Sequence, residues 1–91
     1  MLTIRRSQWE LIADLLQIIE REDNLTLKYI AEYANMSFET ARTPFNAIEK
    51  AKLALLTGLT PTDHARIANK GLQWLKDFKH LKSLMRSGFK P

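Results

Sequence analysis

Residues 27–41 read LKYIAEYANMSFETA, two helix patterns joined by a short break. Leu27, Ile30, Ala31 and Ala34 recur at three- and four-residue spacing, which places them on one face of a short helix. Asn35 closes that helix, because Asn tolerates the left-handed backbone a helix C-terminus needs, and Met36 plugs the angle to the next element. Ser37 then offers a hydroxyl cap to a further helix whose buried stripe is Phe38, Ala41, Phe45 and Ile48, running to Ala51.

Upstream, Ser7-Gln8-Trp9-Glu10 has the spacing of a capping box, and Trp9, Ile12, Leu15, Leu16 and Ile19 continue as the apolar face of a first helix that ends near Arg21. Glu22-Asp23-Asn24 is a polar break. Downstream, Lys52 to Leu59 is a short apolar run ended by Gly58 and Thr60-Pro61-Thr62-Asp63, which predicts strand, turn, strand. In the second strand, 64–68, Ala65 and Ile67 share one face and His64, Arg66 and Ala68 the other. Asn69 is placed to cap a last helix that ends at Ser87-Gly88, with Phe89-Lys90-Pro91 as a frayed tail. The expected fold is mainly α with a small β-hairpin: three helices, a two-stranded wing and a C-terminal helix, the order of a winged helix-turn-helix domain. One domain is expected over residues 1–91, with a core at 7–68 and a C-terminal dimerisation helix at 69–87.

Composition agrees with one small core. The chain has 91 residues, 45% of them hydrophobic, too few for two cores and too apolar for disorder. It has no cysteine, which removes disulfides, thiolate metal sites and cysteine nucleophiles. No apolar run is long enough to cross a bilayer, and MLTIRRSQWE turns amphipathic instead of forming a signal-peptide core, so a cytoplasmic protein is expected. Charge is uneven: residues 1–62 carry seven basic and eight acidic side chains, residues 63–91 seven basic and two acidic. A polyanion partner fits that asymmetry, as does a lysine-coated helix that is simply solvated.

The chain resembles the small archaeal winged-helix DNA-binding proteins, predicted transcriptional regulators or chromatin-type proteins that dimerise through a C-terminal helix. The similarity is carried by Leu27-x-x-Ile30-Ala31-x-x-Ala34-Asn35-Met36-Ser37-x-x-Thr40, by Ile48-Glu49-Lys50 before a strand, and by Ile67-x-x-Lys70-Gly71-x-x-x-Leu75. It covers residues 5 to 86 and implies archaeal or archaeal-virus origin, double-stranded DNA as partner and a nucleoid-associated location. Two positions depart from the pattern. Lys52 stands where the family commonly has glycine after the third helix, so that turn is made without glycine's freedom. Pro44 falls inside the third helix and removes a hydrogen bond to Thr40, so the helix is expected either to kink or to split, with Thr43 as cap and Pro44 at the first helical position.

If the third helix enters a major groove, Thr40, Arg42, Thr43, Asn46 and Lys50 face the bases and phosphates, with Glu39 opposing them. Arg42 suits guanine or phosphate and Asn46 suits adenine. Lys52 on the first strand of the wing and His64 and Arg66 on the second supply a basic wing, Arg5 and Arg6 an arm, and Lys28 a phosphate contact at the front of the second helix. Each of these side chains reads equally well as a solvated surface residue. On the last helix, Trp74, Phe78, Leu81 and Met85 follow the four-three-four stagger of a coiled-coil seam, widened by Leu72, Leu75 and Leu84. A stripe that wide exceeds what one core needs, so a homodimer through an antiparallel pair of these helices is expected.

No catalytic, metal or cofactor site is expected. His64 and His80 fall in different elements, Glu20, Glu22 and Asp23 form a solvated cluster, and Gly58, Gly71 and Gly88 make no phosphate loop. No small-molecule substrate or membrane partner is expected either. A protein-interaction module within a larger assembly is the alternative from another class, and a last helix lying on a membrane surface is a third.

Overall fold

A computed structural model of the chain describes residues 7–22 and 24–88. Its elements are α1 (Gln8–Arg21), α2 (Leu27–Tyr33), α3 (Phe38–Lys50), β1 (Ala54–Leu56), β2 (Ala65–Ile67) and α4 (Asn69–Gly88). The chain is mainly helical with a small antiparallel hairpin.

The helix starts are local. Ser7 Oγ accepts the Glu10 N–H at 3.2 Å while Glu10 Oε1 accepts the Ser7 N–H at 2.9 Å, the reciprocal capping box expected for α1. Ser37 Oγ accepts the Thr40 N–H at 3.1 Å and caps α3. After α2, Asn35 takes φ 60°, its N–H bonds to Glu32 O, and the Met36 N–H bonds to Ala31 O. That is a Schellman closure, with Met36 buried behind it.

α3 closes in the same way on a less suitable residue. Lys52 takes φ 63°, with its N–H on Glu49 O and the Leu53 N–H on Ile48 O. Lys52 is therefore not on the first strand as expected: residues 52–53 are spent on the helix closure, and pairing starts at Ala54. A side chain in left-handed backbone costs energy that glycine does not. Lys52→Gly should raise the unfolding free energy by about 1 kcal/mol, measured by urea denaturation; no gain would mean the turn is unstrained.

Pro44 neither ends nor splits α3, which runs unbroken from Phe38 to Lys50 with Pro44 buried. The alternative start at Thr43 is thus overturned. Phe45, Ala41 and Ile48 keep one phase across the proline and are fully buried, and that packing holds the helix through the missing bond.

The core is built on α1, whose Leu15, Leu16 and Ile19 share one buried cluster with Leu27 and Ile30 of α2, Ala41, Phe45 and Ile48 of α3, Leu53 of the turn that follows, and Ala54 and Ala65 of the hairpin. Trp9, expected on the buried face of α1, is instead 61% exposed. It lies one turn before Ile12, the first buried residue of α1, and packs on Trp74 of α4 instead.

In the hairpin, Ala54 pairs with Ile67, Leu55 with Arg66 and Leu56 with Ala65. A third segment joins it: Thr26 bridges His64 in antiparallel sense, and the Ala65 N–H bonds to Leu25 O. The sequence shows no sign of this bridge, because the segment is too short to carry a period. α4 begins one residue earlier in register than expected. The Leu72 N–H bonds to Ala68 O, so Ala68 holds the cap position and Asn69 is the first helical residue; the helix reaches Gly88.

Candidate nucleic-acid interface

α3 turns its apolar stripe inward, which leaves Glu39, Thr40, Arg42, Thr43 and Lys50 exposed and Asn46 half-buried. Three of these side chains are engaged at the start of the helix. Arg42 Nη1 lies 3.6 Å from Glu39 Oε1, and Thr40 Oγ1 accepts the Ser37 hydroxyl at 2.9 Å. Both are solvent-exposed and so worth little to stability, which leaves them available to exchange for a phosphate.

Lys28 is exposed in the first turn of α2, but the amides around it are occupied. The Leu27 N–H donates to Asp63 O at 2.8 Å, the Lys28 N–H to Pro61 O at 3.1 Å, and the Tyr29 N–H to Thr26 Oγ1 at 3.5 Å. The hairpin loop thus caps α2. Only the Lys28 ammonium, and not the helix N-terminus itself, is offered to an anion.

The loop is held by Asp63. Its carboxylate accepts the Thr60 hydroxyl at 2.6 Å, the Thr60 N–H at 2.9 Å and the Thr57 hydroxyl at 2.8 Å, while Thr57 Oγ1 accepts the His64 N–H at 2.9 Å. The Thr60 hydroxyl, the Thr60 amide and the Thr57 hydroxyl, in that order, hold the Asp63 pKa below its ordinary value. A depressed folded pKa gives stability that is complete above the ordinary carboxylate value and is lost as pH falls through the folded one. Asp63→Asn should therefore melt below the wild type at pH 7, and the two melting temperatures should converge in acid, below about pH 4. A constant gap across that range would rule out the carboxylate's charge as the cause.

The expected basic wing is reduced. Lys52 sits in the turn after α3, His64 is half-buried with its backbone tied to Thr57 and Thr26, and residues 57–63 carry no cation. Arg66 remains, exposed at the middle of β2 opposite Leu55. Arg5 and Arg6 lie outside the described residues.

The residues expected on the last helix divide. Leu75 is buried in the chain's own core, so it is not available to a partner; Leu72, Trp74 and Phe78 are half-buried; Leu81, Leu84 and Met85 are exposed. The reason is that α4 packs on the core through its first half, by Leu75 with Trp74 and Phe78, and so closely at Gly71 that a Cβ there would run into Leu53 O. Trp74 stacks on Phe78 at 5.2 Å, and Trp9 closes on Trp74 at 6.4 Å. Lys82 Nζ stands 5.8 Å over the Phe78 ring and 3.9 Å from Glu10 Oε2. Between α1 and α4 these side chains, with Leu81 and Met85, line a groove of about 740 Å³. Trp9 is the groove residue that periodicity missed, because it shares the phase of the core stripe. Its place beside the capping Ser7, at the extreme start of α1, was the available signal.

Among the described residues no three His, Asp or Glu side chains are placed to hold a metal ion, and no helix is long and apolar enough to cross a membrane. Compared with protein-family models, with curated proteins and with solved structures, the chain has no match.

Proposed function

We propose that the chain is a winged helix-turn-helix protein that binds double-stranded DNA as a homodimer, as a transcriptional regulator or small chromatin-type protein of the cytoplasm and nucleoid. The observation that carries this is the α2–α3 pair. A Schellman turn at Asn35 joins the two helices, α3 buries Ala41, Phe45 and Ile48 with Phe38 half-buried at the end of the stripe, and the opposite face offers Thr40, Arg42, Thr43 and Lys50 to solvent. The Thr26–His64 bridge supports the winged arrangement, because it ties the segment before α2 to the hairpin and so fixes the wing beside α2. Lys28 and Arg66 extend the basic set, and Arg5 and Arg6 belong to it as an N-terminal arm. The dimer is joined through α4, where Leu81, Leu84 and Met85 are left uncovered.

Fluorescence anisotropy with a mixed-sequence duplex across a salt series tests the reading. The expected result is a log affinity that falls with log salt at a slope of about −5 to −9, corresponding to about 6 to 10 phosphates. Negligible binding at low salt would overturn it. That second outcome would favour a protein-interaction module, a reading supported by the balanced charge of α3, where Glu39 and Glu49 offset Arg42 and Lys50.

A further inference from the structure

We infer that the groove between α1 and α4 is a binding site for a hydrophobic organic cation, a molecule with aromatic rings and one quaternary or delocalised positive charge. This goes beyond the function proposed above and rests on neither DNA nor a second copy of the chain.

Three rings build the groove. Trp74 and Phe78 stack almost parallel, 6° apart with centroids at 5.2 Å, and Trp9 leans on Trp74 at 32° and 6.4 Å. Trp9 is mostly exposed and the other two rings are half-buried, so part of the row stays open to water. Leu81 and Met85 extend the apolar wall, and a volume of about 740 Å³ is that of a site for a drug-sized molecule. Ring faces carry the negative lobes of the aromatic quadrupole, which attract a positive charge and repel a negative one.

The charged side chains select in the same direction. Among the described residues that line the groove, Glu10 and Asp77 stand against Lys82, a local excess of negative charge in a chain whose net charge is +4. Glu10 is fixed there by the start of its own helix: Oε1 accepts the Ser7 N–H at 2.9 Å, which leaves Oε2 on the side of Lys82. Asp77 is held by Gln73, whose Nε2 donates to Asp77 Oδ1 at 3.0 Å.

The chain's own ammonium marks the position a ligand's charge would take. Lys82 Nζ stands between a ring face and a carboxylate, 5.8 Å over Phe78 and 3.9 Å from Glu10 Oε2. That separation is too long for a hydrogen bond and the pair is half exposed, so the flexible lysine swings into water at little cost. A charge spread over rings gives up less hydration than the compact ammonium it displaces. An anion drawn to Lys82 would instead meet Glu10, Asp77 and the ring faces.

The chain's two tryptophans, Trp9 and Trp74, both line the groove, so intrinsic emission reports on it directly. The wild-type protein is titrated with tetraphenylphosphonium and with tetraphenylborate, a cation and an anion of nearly the same shape. The expected result is saturable quenching, with the cation bound about tenfold more tightly than the anion. Net charge favours the anion, so a preference for the cation has to arise locally. Glu10→Gln removes the charge and keeps the capping box, in which Gln serves as Glu does; it should weaken the cation about fivefold. Lys82→Met removes the resident ammonium and should tighten the cation by a similar factor. Equal or tighter binding of tetraphenylborate would overturn the inference, since it reports apolar adsorption or net charge alone. One affinity for the cation in all three proteins would overturn it too. No change in emission with either ion would do the same, and would leave the groove to a second copy or to another protein. Should a variant not fold, the two ions compared on the wild type decide.

Discussion

Phe45→Ala should lower the unfolding free energy by about 3 to 5 kcal/mol. Phe45 is the largest fully buried side chain, at 0% exposure, and it stands in the middle of the α3 stripe with Phe38 tilted against it at 6.4 Å. Removing it opens a cavity where α3 packs against α1, the helix pair that organises the core. Against a total stability of about 5 to 15 kcal/mol for a domain of this kind, that loss takes the protein near its unfolding threshold. Urea denaturation should show the midpoint falling at unchanged slope. A loss below about 1 kcal/mol would mean that the surroundings collapse onto the smaller side chain, and that Phe45 is not the keystone of the core. Since Pro44 deprives α3 of one backbone bond, packing by Phe45 is also what keeps Arg42, Thr43 and Lys50 on a single face. A duplex titration of the variant, at a temperature where it is still folded, should therefore weaken more than its retained charge predicts.

Gly71→Ala should be the second most damaging of the simple substitutions. In an ordinary helix the change gains about 1 kcal/mol. Here a Cβ would fall inside the van der Waals shell of Leu53 O, a backbone atom already fixed by the Ala68 N–H at 3.1 Å, and would also press on Ile67 Cδ1 at 2.9 Å. Backbone cannot turn aside as a side chain can, so α4 must lift from the turn that closes α3. We expect a net loss of about 2 to 3 kcal/mol and a melting temperature lower by roughly 10 to 20 °C. An unchanged or higher melting temperature would mean that α4 does not approach Leu53 so closely. Because α4 carries the proposed dimer seam, the same variant should also change the mass in solution, whereas Phe45→Ala should not while folded.

Much of the fold is legible from short-range chemistry. The Ser7 and Ser37 caps, the Schellman turn at Asn35, the α2 and α3 stripes and the alternation of Ala65, Arg66 and Ile67 all depend on residues within one helical turn or one strand pair. The candidate site was less so. Lys52, His64 and Arg66 look alike as cations near a strand, yet one forms a left-handed turn, one is drawn in by the Thr26 bridge and one stays exposed.

The sequence by itself determined the caps that start α1 and α3, the turn that ends α2, and which residues share a helix face. Tertiary structure alone decided which part of each face is covered: Leu75 goes into the core and Leu81 stays out, Trp9 leaves the α1 stripe to pack on Trp74, and the loop at Asp63 caps α2. The physical reason is range. Periodicity and capping are set by neighbours a few residues away, whereas burial depends on which distant surface arrives to exclude the water, and no window along the chain contains that surface.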